Sequence, residues 1–302
     1  MLFDLSNITV DNLQDDLFQQ KQVSVSVLRL DKIHPLVSGN KIFKLQYFLE
    51  AALKAQHKTV LTFGGSYSNH LAATAYACKL LNLKSIGMVR GERPEELSPT
   101  LLQCIEDGME LKFLSRADYD RTDDPEFING LKNQSGDCTI IPEGGFHNLG
   151  AKGAALILDQ LDSGNYTHIC TATGTATTTA GLLIAAKPEQ TVVSIPVLKG
   201  MKDLISRVQH LTKSQYEYRN LKILDSYHFG GYAKKNDILT GFMNECWIKH
   251  RLPLDFVYTG KMFYGIVDSI KNNLFEKESK ILCLHTGGLQ GNKSLPLNTI
   301  LF

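Results

Sequence analysis

Apolar and polar residues alternate at the start of the chain. Val23, Val25 and Val27 are interleaved with Ser24 and Ser26, which predicts a half-buried strand. From residue 40 the period changes. Leu45, Phe48, Leu49 and Leu53 share one face at helical spacing, so a helix is expected to run to about residue 53. Strands are then predicted over 59–63, 84–89, 111–114, 139–141, 167–171, 191–198, 221–227 and 280–286. Between them the pattern predicts helices to about residue 81, near 97–106 and 125–131, and over 149–161, from residue 180, over 201–211, 237–250 and 262–275. Residues 116–124 are charged and read as a solvated loop, and 143–148 as a hinge. Strands that alternate with helices imply parallel βαβ units and an α/β fold.

The most informative stretch is 169–184. A β-branched run gives way to Thr173, Gly174, Thr175, Ala176, Thr177 and Thr178, and then to an Ala/Leu/Ile helix. Such a turn points free backbone N–H groups and the positive helix end at one spot, and small hydroxyl side chains let an anion approach. No Gly-Lys-Ser/Thr follows, so the nucleotide P-loop is excluded, and G-x-G-x-x-G is absent. A cup without its own cation suits one phosphate monoester, such as that of pyridoxal phosphate. A threonine-rich turn without a ligand is the alternative.

Two other stretches carry chemistry. Lys41 and Lys44 stand in the first turn of a predicted helix, where acidic residues are usual. Cations there repel unless an anion is present, and the field should lower a lysine pKa, as a nucleophilic amine requires. Solvated lysines are the plain alternative. Residues 64–70, Gly-Gly-Ser-Tyr-Ser-Asn-His, form a second strand–turn–helix junction with Ser68 or Asn69 as caps.

Composition removes other classes. With 43% hydrophobic and 21% charged residues, the 302-residue chain can bury a substantial core. A net charge of +1 gives no reason to expect nucleic acid or a membrane surface as partner. No apolar stretch is long enough to span a bilayer. The first twenty residues do not look like a signal peptide. Six scattered cysteines read as free thiols in a reducing, cytoplasmic setting, and the histidines lack metal-ligand spacing, so no metal site is expected. No esterase elbow is present.

Ser-Gly-Asn-Lys-Ile-Phe-Lys-Leu (38–45), Gly-Gly-Ser-Tyr-Ser-Asn-His (64–70), Thr-Gly-Thr (173–175), Val-Tyr-Thr-Gly-Lys (257–261) and His-Thr-Gly-Gly (285–288) occur in register. Together they resemble the 1-aminocyclopropane-1-carboxylate deaminase/D-cysteine desulfhydrase family, pyridoxal-phosphate enzymes of tryptophan synthase β-subunit type. The resemblance implies a two-lobed fold type II enzyme, each lobe an open, mostly parallel sheet flanked by helices. The smaller lobe (44–147) would be inserted into a cofactor-binding lobe (1–43 and 148–302). It implies Lys41 as Schiff-base lysine and Lys44 as phosphate contact. Asn69 would face the cofactor's 3′-oxygen, with Ser68 and His70 facing the substrate carboxylate. Cys170, Thr173, Gly174 and Thr175, with Ala176 and Thr177, would line the cup. Tyr258 would stack on the ring, Tyr232 would lie on the substrate side, and Thr286 beside the pyridine nitrogen. Phe43, Tyr67 and Leu71 depart from the usual pattern. Thr259 and Thr286 stand where the deaminases carry glutamate and leucine, and match the desulfhydrases. The expected activity is therefore α,β-elimination from D-cysteine or a related small D-amino acid, with cyclopropane-opening deamination as the alternative. A homodimer acting on a small amino-acid substrate is expected. Rival classes are a non-catalytic small-molecule binding protein and a nucleotide-binding oxidoreductase.

Overall fold

The computed structural model describes residues 2–34, 38–213 and 220–302. Its first half runs β1 (Val10–Leu13), α1 (Asp16–Gln20), β2 (Ser24–Arg29), α2 (Asn40–Lys54), β3 (Thr59–Gly64), α3 (Asn69–Leu80), β4 (Lys84–Arg90), α4 (Pro99–Glu106), β5 (Met109–Leu114), α5 (Arg116–Tyr119), α6 (Pro125–Ser135) and β6 (Cys138–Ile141). Then come α7 (Asn148–Ala155), β7 (His168–Thr173), α8 (Thr177–Ala185), β8 (Thr191–Pro196), α9 (Leu204–Thr212), β9 (Leu221–Ile223), α10 (Asp237–His250), α11 (Thr259–Lys271) and β10 (Lys280–His285).

The strands form two sheets. One has six strands in the order β1-β2-β10-β7-β8-β9, parallel except for the β1–β2 pair; the other has the all-parallel order β5-β4-β3-β6. Central strands such as β7, β8 and β10 are buried on both faces beyond their first residue, which is why they read as near-continuous apolar runs. The order of each sheet fixes where a ligand can bind. From β7 the chain proceeds outward to β8 and β9, whereas β10 lies on its other side. From β3 it proceeds to β4 and β5, whereas β6 lies on the other side. Each sheet thus has one switch point, where consecutive connections leave in opposite directions and open a crevice at the carboxyl ends. Residues from both crevices line a single cavity. The largest apolar cluster unites the two sheets: Val60, Ala73 and Ile141 from one side meet Ile169, Val192 and Leu282 from the other, through Phe43, Phe48 and Leu49 of α2.

Several boundaries differ from the sequence reading. β1 and α1 were not foreseen, because Val10-Asp-Asn-Leu13 offers only two apolar residues; the strand is held by tertiary bonds, Ser26 Oγ donating to Asn12 Oδ1 (2.7 Å) and Arg29 pairing with Asp11 (2.5 Å). Residues 116–119 form a short helix rather than a solvated loop, and its Tyr119 is buried. α7 stops at Ala155, with a separate 3₁₀ turn over Leu158–Gln160. β9 is only a short strand before the 3₁₀ turn Asp225–Tyr227. α11 starts at Thr259, inside a stretch read as loop, for a reason given below. Among the described residues no helix is long and apolar enough to cross a membrane.

Candidate active site

The turn read as a phosphate cup is the β7–α8 junction. The residue before α8, Ala176, has φ 70° and ψ −7°, and no side chain caps the helix. The first-turn N–H groups of α8 are therefore left for whatever sits in the cavity. Thr175 and Thr177 share a hydroxyl contact of 3.0 Å at the rim. Beneath them Thr173 Oγ1 contacts the hydroxyls of Thr179 (2.8 Å) and Ser194 (2.6 Å), so it props the cup. At Gly174 an added Cβ would lie 3.2 Å from Tyr258 Cε1; the glycine keeps the ring close to the cup.

α2 delivers the lysines. Gly39, at φ 88°, precedes it, and a Cβ there would overlap the Thr286 carbonyl oxygen, so only glycine lets α2 start against the end of β10. Lys41 Nζ donates to Asn40 Oδ1 (2.7 Å), and Asn40 Nδ2 donates to Thr178 Oγ1 (2.7 Å), a chain linking the amine to the cup helix. Desolvation lowers the Lys41 pKa to about 8, against Asp255, which raises it. Lys44 is buried and its pKa falls well below the ordinary lysine value, through desolvation first and then repulsion from Lys41. The direction agrees with the sequence reading, but the main cause is burial rather than the helix field. A dianion in the cup would offset that burial for Lys44.

α3 supplies the opposite wall. Ser68 Oγ accepts from the N–H groups of His70 and Leu71 (3.2 Å each), so its own hydrogen remains to be donated. Asn69 Nδ2 donates to the Gly288 carbonyl (3.1 Å), which bridges the sheets, and its Oδ1 is buried with no partner. His70 Nε2 contacts Thr62 Oγ1 (3.0 Å). Burial, with Lys41 and Lys44 nearby, pushes its pKa down to about 3. A ring held neutral brings no positive charge to a substrate carboxylate.

The third wall is organised by Asp255. Its buried carboxylate accepts from the N–H groups of Val257 (2.9 Å), Tyr258 (2.8 Å) and Thr259 (2.9 Å) and from Thr259 Oγ1 (2.7 Å). The Asp255 N–H returns a bond to Thr259 Oγ1 (2.8 Å). This reciprocal cap starts α11 at Thr259 before any apolar periodicity sets in. It also fixes Tyr258, whose hydroxyl donates to that of Tyr232 at 3.5 Å. The Lys41 amine lies 5.9 Å from the Tyr258 ring centre. Burial raises both phenol pKa values, so both tyrosines stay protonated at neutral pH.

The cavity measures about 250 Å³ and brings together Lys41, Lys44, Ser68, Asn69, His70, Thr173, Gly174, Thr175, Ala176, Thr177, Tyr232, Tyr258 and Thr286. Two expected residues do not line it. Cys170 lies deep in β7, fully buried and in register with Cys283 of β10 in the apolar core. Thr259 is fully buried against Asp255. Of the departures from the family pattern, Phe43 is fully buried in the core, whereas Tyr67 does line the cavity. Sequence reasoning gave no site role to Asn40, Asp255 and Glu143, all of which line it. The only local signal for Asp255 is an aspartate four residues before a threonine, and the burial that makes it a cap belongs to the fold. Glu143 sits next to Gly144, where an added Cβ would lie 3.0 Å from Thr175; desolvation raises the Glu143 pKa, against Tyr119 and Arg90.

Residues 15–287 match the family described as pyridoxal-phosphate dependent enzymes. The chain belongs to that family. A Thermotoga maritima protein provisionally named 1-aminocyclopropane-1-carboxylate deaminase is 33% identical over 285 residues, covering 89% of each chain. A Pyrococcus horikoshii protein with the same provisional name is 31% identical over 273 residues, 84% of this chain and 81% of that one. A crystal structure described as an ACC deaminase homologue superimposes with a TM-score of 0.81 at 28% identity, covering 96% of this chain and 92% of that chain. This is an enzyme of the 1-aminocyclopropane-1-carboxylate deaminase family, and its cofactor is pyridoxal phosphate. The residues present fit that cofactor. An uncapped helix end and a buried lysine suit a phosphate, a lysine amine of lowered pKa stands beside an aromatic ring, and Asn69 Nδ2 keeps a second hydrogen for a ring oxygen.

Proposed function

We propose that the enzyme eliminates the β-substituent of D-cysteine or a related small D-amino acid, giving pyruvate, ammonia and, from D-cysteine, sulfide. One observation carries this reading. The residue after the stacking tyrosine, Thr259, is fully buried with its hydroxyl on Asp255, and the end of β10 offers a second hydroxyl, Thr286. Neither position provides a proton-active carboxyl. Opening a cyclopropane ring has no Cα proton to remove and needs more acid–base equipment than elimination does. Asp255 is the cavity carboxylate nearest that position in sequence, and its four accepted bonds occupy it.

Pyridoxal phosphate, when bound, supplies the electron sink that makes the Cα–H bond acidic. The chain's own residues do the rest. Lys41, with an amine pKa near 8, takes the Cα proton. The Cβ–S bond breaks with its electron pair leaving on sulfur, a good leaving group that requires no strong acid. Ser68, whose lone pairs are occupied by its capping bonds, donates its hydroxyl hydrogen to the substrate carboxylate. Lys44 and the open end of α8 hold the phosphate, and Asn69 the 3′-oxygen. The protonated phenols of Tyr258 and Tyr232 close the substrate side. Thr286 would lie by the pyridine nitrogen, where a hydroxyl brings no negative charge to keep that nitrogen protonated. In the same reading the smaller lobe spans 44–147, and the enzyme is a cytoplasmic homodimer, which sedimentation of the purified protein tests.

The second reading is 1-aminocyclopropane-1-carboxylate deamination to α-ketobutyrate and ammonia, favoured by the names of the relatives that are 31–33% identical. A panel of D-cysteine, L-cysteine, D-serine and 1-aminocyclopropane-1-carboxylate separates the two. Pyruvate from D-cysteine is the expected result. Strong α-ketobutyrate release from the cyclopropane compound, with D-cysteine inert, overturns it.

A further inference from the structure

Tyr232 reaches the cavity from the loop between the 3₁₀ turn Asp225–Tyr227 and α10, and about half of it is exposed. The loop backbone is unusual: Phe229 (φ 50°), Gly230 (92°), Gly231 (122°) and Ala233 (52°) all lie in the left-handed region. Two of these are not glycine, so the conformation has to be held from outside. Local bonds hold part of it: Gly230 N–H donates to His228 Nδ1 (3.0 Å), Gly231 N–H to the His228 carbonyl (3.0 Å) and Lys234 N–H to the Gly231 carbonyl (3.1 Å). The base of the loop rests on α11 through Phe229, whose ring centre is 4.9 Å from that of Tyr264.

The tip has a different anchor. Lys261 Nζ donates to the Gly231 carbonyl at 2.6 Å. Lys261 is fully buried, and among the described residues this is its one hydrogen bond. A lysine amine is seldom enclosed so completely, and the first turn of a helix is an unfavourable place for a cation. Its charge also lies in the field of the Asp255 carboxylate, which caps the same helix. What the position achieves is geometric. Lys261 lies one turn along α11 from Tyr258 at its start, and Gly231 is the residue before Tyr232. The bond thus joins the two backbone segments whose tyrosine hydroxyls meet at 3.5 Å.

We propose that Lys261 is a positioning residue, which ties Gly231 to α11 and so holds the Tyr232 hydroxyl against Tyr258 at the substrate side of the cavity. The inference rests on the role given to Tyr232 above. It is distinct from the packing of Phe229 on Tyr264, which fixes the base of the loop.

The test uses the holoenzyme in a double-mutant cycle together with hydrogen–deuterium exchange. Lys261→Met should lower kcat by about as much as Tyr232→Phe, on the order of a hundredfold, with KM changed far less. Combining the two should cost no more than about twofold beyond either alone, because both remove the same contact. A merely structural lysine would instead multiply the two losses, and that result overturns the proposal. In Lys261→Met, peptides covering 228–236 should exchange at least about tenfold faster, while α11 stays protected. Unchanged exchange there also overturns it. Exchange needs no turnover, so an enzyme that eliminates nothing from the substrate panel would refute the proposed reaction and still leave the tie decided. If Lys261→Met does not fold, Lys261→Gln, too short to reach the Gly231 carbonyl, gives the same comparison.

Discussion

α3 and α8 leave their sheets in the same way, each from the end of a parallel strand through a short polar turn into the cavity, yet they present opposite chemistry. At α3 the capping residue is Ser68, with φ −75° and ψ 114°, and its oxygen takes two backbone N–H groups. At α8 the equivalent residue is Ala176, in left-handed conformation and with no side-chain atom able to accept. The capped end has used its backbone donors and offers a single hydroxyl hydrogen, enough for a carboxylate. The open end keeps its backbone donors and a rim of hydroxyls, as a phosphate dianion needs. In the proposed reading, one side chain at the cap sorts two anions onto two otherwise similar junctions.

The strongest way to break this contrast is to place a charge at the open end. Thr175→Asp should weaken pyridoxal phosphate binding at least about a hundredfold, through like-charge repulsion at short range. Absorbance titration measures it, and retained affinity would mean that the phosphate sits elsewhere. Next in size is the effect of pH on cofactor uptake. The neutral amine of Lys41 is the reactive form and its pKa is lowered to about 8. Uptake should therefore slow about tenfold for each pH unit below that value and level off above it. A rate that keeps climbing to pH 10 would mean an ordinary lysine. At the capped end, Ser68→Ala should raise KM about tenfold with kcat nearly intact, and lower Tm by roughly 2–4 °C through the lost cap. A collapse of kcat at constant KM would move Ser68 into the chemistry. The smallest effect is expected at His70, already neutral because its pKa lies near 3. His70→Gln should leave the pH 5–8 limb of kcat/KM where it was, and a shifted limb would show that the ring titrates there.

Both junctions were legible in the sequence, because a β-branched run followed by small polar residues and an apolar helix is a local pattern. Most of the parallel strands were legible for the same reason. What escaped depended on partners distant in sequence. β1 exists through bonds to Ser26 and Arg29, and Tyr119 is buried because the protein folds over a charged segment. Asp255 looked like one acid among many until its bonds to the turn at 257–259 were visible. Cys170 and Thr259 were expected at the site from the family resemblance. Strand depth takes the first into the core, and the reciprocal cap turns the second toward Asp255. The fall in the Lys41 pKa was anticipated, but its principal cause, desolvation, is a property of the assembled cavity.

The apolar cluster that joins the two sheets has a mechanical consequence. Val60 and Ile141 of one sheet and Ile169 and Leu282 of the other pack into the same mass around α2. Parting the sheets at their base would break that mass, at roughly 25 cal/mol for each Å² of apolar surface exposed. The clamshell is welded at its spine. On heating, both sheets should therefore melt together in one transition rather than one after the other.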